Sequence, residues 1–371
     1  MTIEAVRLHR VAMPLRTPFR TSYGVEQARD VVLVEIVTDA AVGWGECVAL
    51  NAPHYSAEYA DGAHDVLRRF LVPLLLQSPD IAAADLAHVL TPVRGHAMAK
   101  AAVEMAMLDA ELRARGRSLA DELGVTTSHV DSGVAIGLSG DIDALVDAVA
   151  AAVDAGYRRV KMKIEPGWDV VPVRAVRQRF PHLPLQVDGN GAYTLADIAT
   201  LAALDPFDLL LVEQPFSDDD LLAHVALARE ITTPVGLDES ITSLATATLA
   251  IDIGACTVVN LKPGRVGGIA AAVRIHELCR ARGVGLWCGG MFETGLGRAV
   301  NVALAGLPGF TLPGDLSASD RYYAEDLTEP FVLEEGRLRV PREVGIGRTP
   351  RPEVLAERSI RLDEWGNTHG T

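Results

Sequence analysis

Two rhythms of apolar residues divide the chain. Residues 2–13, 29–38 and 42–48 are rich in Val, Ile and Leu and read as strands, the last two joined by a short turn before Gly43. From Ser56 the pattern changes. Tyr59, Ala63, Val66, Leu67, Phe70 and Leu71 recur at helical spacing, as do Ala102, Met105, Ala106, Leu108, Asp109 and Leu112 between Met98 and Arg115. Strands followed by helices in blocks predict an α+β domain.

After about Ser128 short apolar strands alternate with amphipathic helices. Strands are predicted at 132–138, 158–164, 184–188, 208–213, 234–238, 257–261, 284–288 and 309–315, with helices such as 141–155, 194–204, 217–230 and 267–282 between them. Seven or eight such units are what a (β/α) barrel requires. The rhythm breaks after about Tyr323. The predicted organisation is an α+β capping domain at 1–127, a barrel at 128–323, and a C-terminal segment, 324–371, that packs back to complete the cap. A chain of 371 residues exceeds the ~250 of one barrel, which agrees with a second domain.

Charged residues interrupt the apolar strand ends at regular intervals. They are Lys161 and Lys163 in VKMKI, Asp188 in LQVDGN, Glu213 in LLVEQP, Asp238 in VGLDES and Lys262 in VNLKPG. Successive members from Lys163 onward are 25, 25, 25 and 24 residues apart, one βα unit each. They are therefore expected at equivalent places on successive strands, at the C-terminal end where barrel active sites lie. Taken singly, each acid is better explained as a loop or helix-capping residue. Taken as a register, Asp188, Glu213 and Asp238 predict three buried carboxylates that would repel and protonate without a counter-charge. A hard divalent cation resolves that conflict; oxygen-only ligands suit Mg²⁺, with Mn²⁺ as a substitute.

Lys161 and Lys163 are two apart on one strand and so share a face, with Val160, Met162 and Ile164 on the other. The lysines are expected to point into the barrel, with Lys262 entering from the opposite side of the ring. A neighbouring cation and mutual repulsion would lower their pKa values and make them bases near neutral pH. The alternative is that they only neutralise the acids. Asn190 shares the face of Asp188 and is expected to bond the metal's ligands or the substrate; Glu239 has the same options, and Ser240 is expected to cap the next helix.

Composition narrows the partners. With 34 Lys and Arg against 49 Asp and Glu, the net charge of −15 disfavours nucleic acid and anionic membrane surfaces, which need basic patches. Cys47, Cys256, Cys279 and Cys288 are scattered without C-x-x-C or a nearby His cluster, so disulfides and zinc are not expected. Glu4, Arg7, His9 and Arg10 interrupt the start of the chain, leaving no signal-peptide apolar region, and no apolar run reaches the ~20 residues of a membrane helix. A cytoplasmic protein is expected.

The ordered set of K-x-K, Asp, Glu, Asp and a lone Lys resembles the enolase superfamily, in its muconate-lactonizing-enzyme-like subgroup. The stretches GWGECV, RVKMKIEPGWDV, VNLKPGRVGG, WCGGMFETGLGRA and LPGDLSASDRYY are similar to the N-acylamino acid racemase / o-succinylbenzoate synthase family, over Met13 to about Val340. That resemblance implies a modified (β/α)₇β TIM-type barrel with an N-terminal α+β cap, one Mg²⁺, and a homo-oligomer. It implies acid/base roles for Lys163 and Lys262, and for Lys161 a place near the substrate carboxylate. It also implies a small carboxylate substrate. Family members dehydrate 2-succinyl-6-hydroxy-2,4-cyclohexadiene-1-carboxylate to o-succinylbenzoate in menaquinone synthesis, racemise N-succinyl or N-acyl amino acids, or do both.

Contacts to the substrate, or to the residues that hold it, are expected from Ala135, Gly290, Met291, Phe292 and Glu293, and from a cap loop around Phe19, Thr21, Ser22 and Tyr23 that closes with Tyr55 over the cavity. Three positions depart from the family pattern. Gly189 makes D-A-N into D-G-N and should face away from the site; Ala135 replaces a frequent serine; Phe292 replaces a smaller aliphatic residue and should narrow the pocket. Rival readings remain: a dipeptide epimerase, a Schiff-base enzyme using Lys163, a related acid-sugar dehydratase, or a non-catalytic binding protein on the same barrel. LWCGGM lacks the seventh-strand His that such a dehydratase uses.

Overall fold

The computed structural model describes residues 1–366; positions 367–371 of the segment expected to complete the cap lie outside the described residues. The N-terminal strands β1 (Ile3–Thr21), β2 (Gly24–Thr38) and β3 (Val42–Cys47) form an antiparallel meander. The first two run well past the expected ends at 13 and 29. Pro14 and Pro18 lack N–H donors and offset the pairing between Pro14 and Phe19, but the ladder resumes at Phe19↔Glu26 and closes at Thr21↔Gly24. The expected lid loop is thus the tip of a long hairpin.

Helix Ala97–Ala114 lies across β3 at very short range. A methyl group on Gly43 would sit 2.0 Å from the Ala106 carbonyl oxygen, and one on Gly45 2.0 Å from that of Ala102. Gly45→Ala is therefore expected to cost about 3 kcal/mol or more, since backbone cannot yield as a side chain would. A denaturation midpoint within error of wild type would contradict this packing.

The strands β4 (His129–Asp131) and β5 (Gly133–Ile136) lead into the barrel. There follow β6 (Arg159–Lys163), β7 (Leu185–Asp188), β8 (Val212–Glu213), β9 (Val235–Leu237), β10 (Val258–Leu261) and β11 (Gly285–Cys288), with helices in between. From β5 to β11 they form one parallel sheet in sequence order. The expected eighth strand, 309–315, is irregular, because Pro313 has no donor to give a ladder. It still spans the gap: Thr311 N and Asp315 N donate to Leu286 O and Cys288 O, both at 3.0 Å, while Gly314 O accepts from Gly133 N at 2.7 Å. Val160, Met162 and Ile164 pack outward among Leu145, Val149, Val173 and Val176, so the lysines of β6 face the barrel interior as expected.

The C-terminal segment adds β12 (Arg337–Arg339), paired with β4, and β13 (Ser359–Gly366), paired antiparallel with β1 as a fourth strand of the cap sheet. Cap and barrel also meet through Glu46 of β3. Its carboxylate is fully buried and accepts from Thr294 N at 3.0 Å, Thr294 Oγ1 at 2.7 Å and Gly297 N at 2.9 Å, at the start of helix Gly295–Ala305. Burial pushes its pKa up to about 7. Unfolding frees the group to ionise at its ordinary value, so the unfolded state holds fewer protons between about pH 4.5 and 7. Stability should fall as pH rises through that window, and Glu46→Gln should remove this slope whatever its constant offset. Identical pH–stability slopes for the two proteins would refute the assignment.

Among the described residues no helix is long and apolar enough to cross a membrane. The four cysteines are free and buried.

Candidate active site

The expected register of charges holds for three strands and then shifts. Lys163 pairs with Asp188 and Asp188 with Glu213, but Glu213 pairs with Gly236, which puts Asp238 one inward-facing layer further along. Strand stagger in a closing sheet produces such an offset. Gly236 leaves room for the Leu211 side chain, whose Cδ1 would lie 2.6 Å from a Cβ there. Asp188 and Glu213 are fully buried, and Asp238 is 1% exposed.

Three ammonium groups interleave these acids. Lys163 Nζ is 2.6 Å from both Asp188 Oδ2 and Asn190 Oδ1. Lys161 Nζ lies 3.1 Å from Asp188 Oδ2, 3.1 Å from Glu213 Oε2 and 2.6 Å from Asp315 Oδ2. Lys262 Nζ donates to Asp238 Oδ2 at 2.8 Å and to Tyr55 Oη at 3.1 Å, and Met291 Sδ lies 3.5 Å away. Arg265 also holds Asp238 and donates to Tyr55 Oη at 3.0 Å. Lys161 and Lys262 lie over the rings of Trp287 and Tyr55, 4.7 and 4.8 Å from the ring centres.

The acids around them raise the pKa values of two of the lysines. Burial opposes the charged form of Lys161, yet Asp315, Glu213 and Asp188 outweigh it and raise the pKa. Lys262 is raised likewise against its burial, by Tyr55, Glu239 and Glu213. The cause is direct: carboxylates face these two ammonium groups. Asp188 is held at about 2, because Lys163 and Lys161 overcome its burial. Glu213 is raised by burial and by Asp188, and Glu239 is raised to about 7 by burial and by Asp188.

The cavity is lined by Lys161, Lys163 and Lys262 with Asn190, Asp238 and Asp315. Phe19, Tyr55, Ala135, Gly290, Met291 and Phe292 line it too, as expected for substrate contacts, together with Thr21 and Tyr23 of the hairpin tip. Phe19 and Phe292 meet edge to face at 5.2 Å, and Phe292 meets Tyr322 at 5.1 Å, so the cap closes one end with aromatic rings. Ser22 Oγ donates to Gly189 O at 3.4 Å across the cap–barrel seam.

Glu293 and Glu239 take supporting places, and the expectation that Ser240 caps the next helix is corrected. Glu293 turns away from the cavity: its carboxylate accepts from Met291 N at 2.8 Å and Asn301 Nδ2 at 2.9 Å, so it supports the wall from behind. Glu239 faces Asn190 Nδ2 at 2.7 Å and a second cavity at the cap–barrel seam. Ser240 accepts from Gln214 Nε2 at 2.8 Å, while Ser243 caps helix Leu244–Asp252. Gly189 faces Pro215 and Tyr193, away from the site.

Several site residues escaped the sequence reading. Asp315 ends the eighth apolar segment and so obeys the strand-end rule; Arg159 holds it at 2.6 Å, and with Lys161 lowers its pKa against burial. Gln186 and Asn260 donate to Glu213 at 2.9 and 2.8 Å. Each stands two before a charged strand-end residue, the same parity that revealed Lys161. Arg265 follows Lys262 in a short helix, where no strand periodicity points to it.

Among the described residues no three His, Cys, Asp or Glu side chains form a ready metal cage, because lysines and Arg265 stand between the acids. The donor set nevertheless fits a hard cation. Asp188, Glu213, Asp238, Glu239 and Asp315 equal in number the cations Lys161, Lys163, Lys262, Arg159 and Arg265 around them, yet Glu239 has no ion-pair partner among those cations. Three buried oxygens, Glu239 Oε2, Gln186 Oε1 and Asn260 Oδ1, have no donor.

Comparison with known proteins agrees with this architecture. Residues 3–124 match the mandelate racemase / muconate lactonizing enzyme N-terminal domain, and residues 144–354 the enolase C-terminal domain-like family. An N-succinylamino acid racemase of Amycolatopsis sp. is 56% identical, covering 96% of this chain and 97% of that one. An o-succinylbenzoate synthase of Geobacillus kaustophilus is 46% identical, over 94% and 93%. The crystal structure of an enolase superfamily member from Listeria innocua superposes with a TM-score of 0.95 at 39% identity, covering 99% and 100%. The chain is thus an enzyme of the enolase superfamily, belonging with the N-succinylamino acid racemases and o-succinylbenzoate synthases.

Proposed function

We propose that this enzyme removes the α-proton of a small carboxylate substrate with the aid of Mg²⁺, and that its reaction is racemisation of N-succinyl or other N-acyl amino acids. The observation that carries this reading is the pair Lys163 and Lys262, which come from β6 and the end of β10, with β7 to β9 between them, and line one cavity. Two opposed amines suit a reaction that takes a proton from one face and returns it to the other.

Asp188, Glu213 and Asp238 would hold the cation. When bound it supplies positive charge at the substrate carboxylate, where loss of the α-proton piles up a second negative charge, the pattern the enolase superfamily exemplifies. Lys161, anchored by Asp315 and stacked on Trp287, holds a fixed positive charge on the same side. Two added positive charges are balanced by the substrate carboxylate and by one lysine giving up its proton. That exchange leaves one lysine neutral and ready to act as base.

Lys163 takes the α-proton from one face, with Asn190 holding its amine. Lys262 delivers a proton to the other face, and the roles exchange for the opposite enantiomer. Phe19, Phe292, Tyr322 and Tyr55 exclude water around the amines. A second reading uses the same residues. Lys163 removes the proton of 2-succinyl-6-hydroxy-2,4-cyclohexadiene-1-carboxylate and protonates the departing hydroxide, giving o-succinylbenzoate; the resemblance to o-succinylbenzoate synthases favours it.

The discriminating experiment incubates the protein with Mg²⁺ in D₂O with a panel of N-succinyl amino acids, and in parallel offers the dehydration substrate. Deuterium at Cα with loss of optical rotation supports racemisation. Absence of both exchange and dehydration would reject the reading.

A further inference from the structure

The part of the cavity wall formed by Leu50, Met291 and Phe292 is held by a residue that does not line the cavity. Arg29, on β2 opposite Met13, is 1% exposed. Its Nη2 donates to Ala49 O at 3.0 Å and its Nη1 to Met291 O, and its Nε has no partner. Among the described residues no carboxylate bonds it. A buried, incompletely paired guanidinium is a costly arrangement and calls for an explanation.

Its two acceptors supply one. Ala49 precedes Leu50, and Met291 precedes Phe292; Leu50, Met291 and Phe292 all line the cavity. Phe292 has φ +56°, a left-handed conformation unfavourable for an aromatic residue that must be imposed by its surroundings. Glu293 holds Met291 N, and Tyr323 donates to Phe292 O. Of these restraints Arg29 alone comes from the cap sheet. Met291 Sδ in turn lies 3.5 Å from Lys262 Nζ.

We propose that Arg29 is the positioning residue of the side-chain pocket: by clasping the Ala49 and Met291 carbonyls it joins cap to barrel and sets which substrate side chains the enzyme accepts. This deepens the function proposed above and rests on it. Arg29 does not line the cavity, so replacing it changes selectivity only through the loop.

The test compares wild type, Arg29→Met and Arg29→Lys as full-length Mg²⁺-supplied protein. N-succinylalanine and N-succinylphenylalanine are the substrates, and amide hydrogen exchange of residues 289–294 is followed by mass spectrometry. In Arg29→Met the ratio of kcat/KM between the two substrates is expected to change by roughly 10-fold or more, since misplacement of about 1 Å costs up to 10²-fold. Most of that change should lie in KM for one of them, with Arg29→Lys recovering part of it. Amides of 289–294 should exchange faster in Arg29→Met alone. An equal loss on both substrates, or unchanged protection of 289–294, overturns the clasp. Should wild type process neither substrate, the functional reading fails and the amide exchange alone decides the clasp. Should Arg29→Met not fold, Arg29→Gln, which keeps an amide donor, is measured the same way.

Discussion

Lys163→Ala is expected to lose turnover of every substrate by roughly 10³-fold or more, the upper part of the range for a general base. Lys262→Ala should also lose racemisation but keep α-hydrogen exchange for one enantiomer, and Lys163→Ala should keep it for the other. The asymmetry follows from geometry. In the proposed reaction each amine would meet the α-carbon from its own side, Lys163 being held beside Asp188 and Asn190 and Lys262 beside Asp238 and Tyr55. Removing one leaves the other able to abstract only the proton it faces. If dehydration is the reaction, Lys163→Ala should again be inactive. The measurement is deuterium incorporation in D₂O from each enantiomer separately. Exchange from both enantiomers in Lys262→Ala would contradict the two-base assignment, and substantial turnover in Lys163→Ala would remove the base altogether.

Chelation by EDTA is the second large effect expected, a loss on the order of 10³-fold restored by Mg²⁺ or Mn²⁺. A Lewis acid at a developing oxyanion contributes several kcal/mol, and each ~1.4 kcal/mol is tenfold in rate. Binding should also be visible without substrate. A ligand held only by the folded state stabilises it, so Mg²⁺ should raise Tm in wild type. Glu213→Gln should lose that shift, because Gln186 and Asn260 already donate to Glu213 and a neutral amide there cannot replace its charge. An unchanged rate in EDTA together with a Tm indifferent to Mg²⁺ would sink the metal assignment. A covalent adduct trapped by borohydride under those conditions would point to Schiff-base chemistry at Lys163.

The charged strand-end positions were legible in the chain because barrel strands repeat. Apolar segments of fixed spacing, each ending in a charged residue, locate Lys163, Asp188 and Glu213 on direct cross-strand partners. The same rule, carried to the eighth segment, would have found Asp315. Pro313 and Gly314 break the apolar run just before it. Arg29 and Glu46 carry no such signal. They lie in a separate sheet and reach the barrel only through folding, at sequence separations of 262 and 248 residues from Met291 and Thr294.

What the residues alone determined is the architecture and the inward-facing chemistry: strand period, unit length and parity are local properties, so they survive in one dimension. Only the tertiary structure decided which charges meet. It set Lys161 among three acids, shifted Asp238 by one layer, turned Glu293 out of the cavity and brought the cap's hairpin over the barrel mouth. Strand stagger and inter-domain contact are long-range packing outcomes, and Coulomb interaction depends on distance through space, which sequence spacing does not specify.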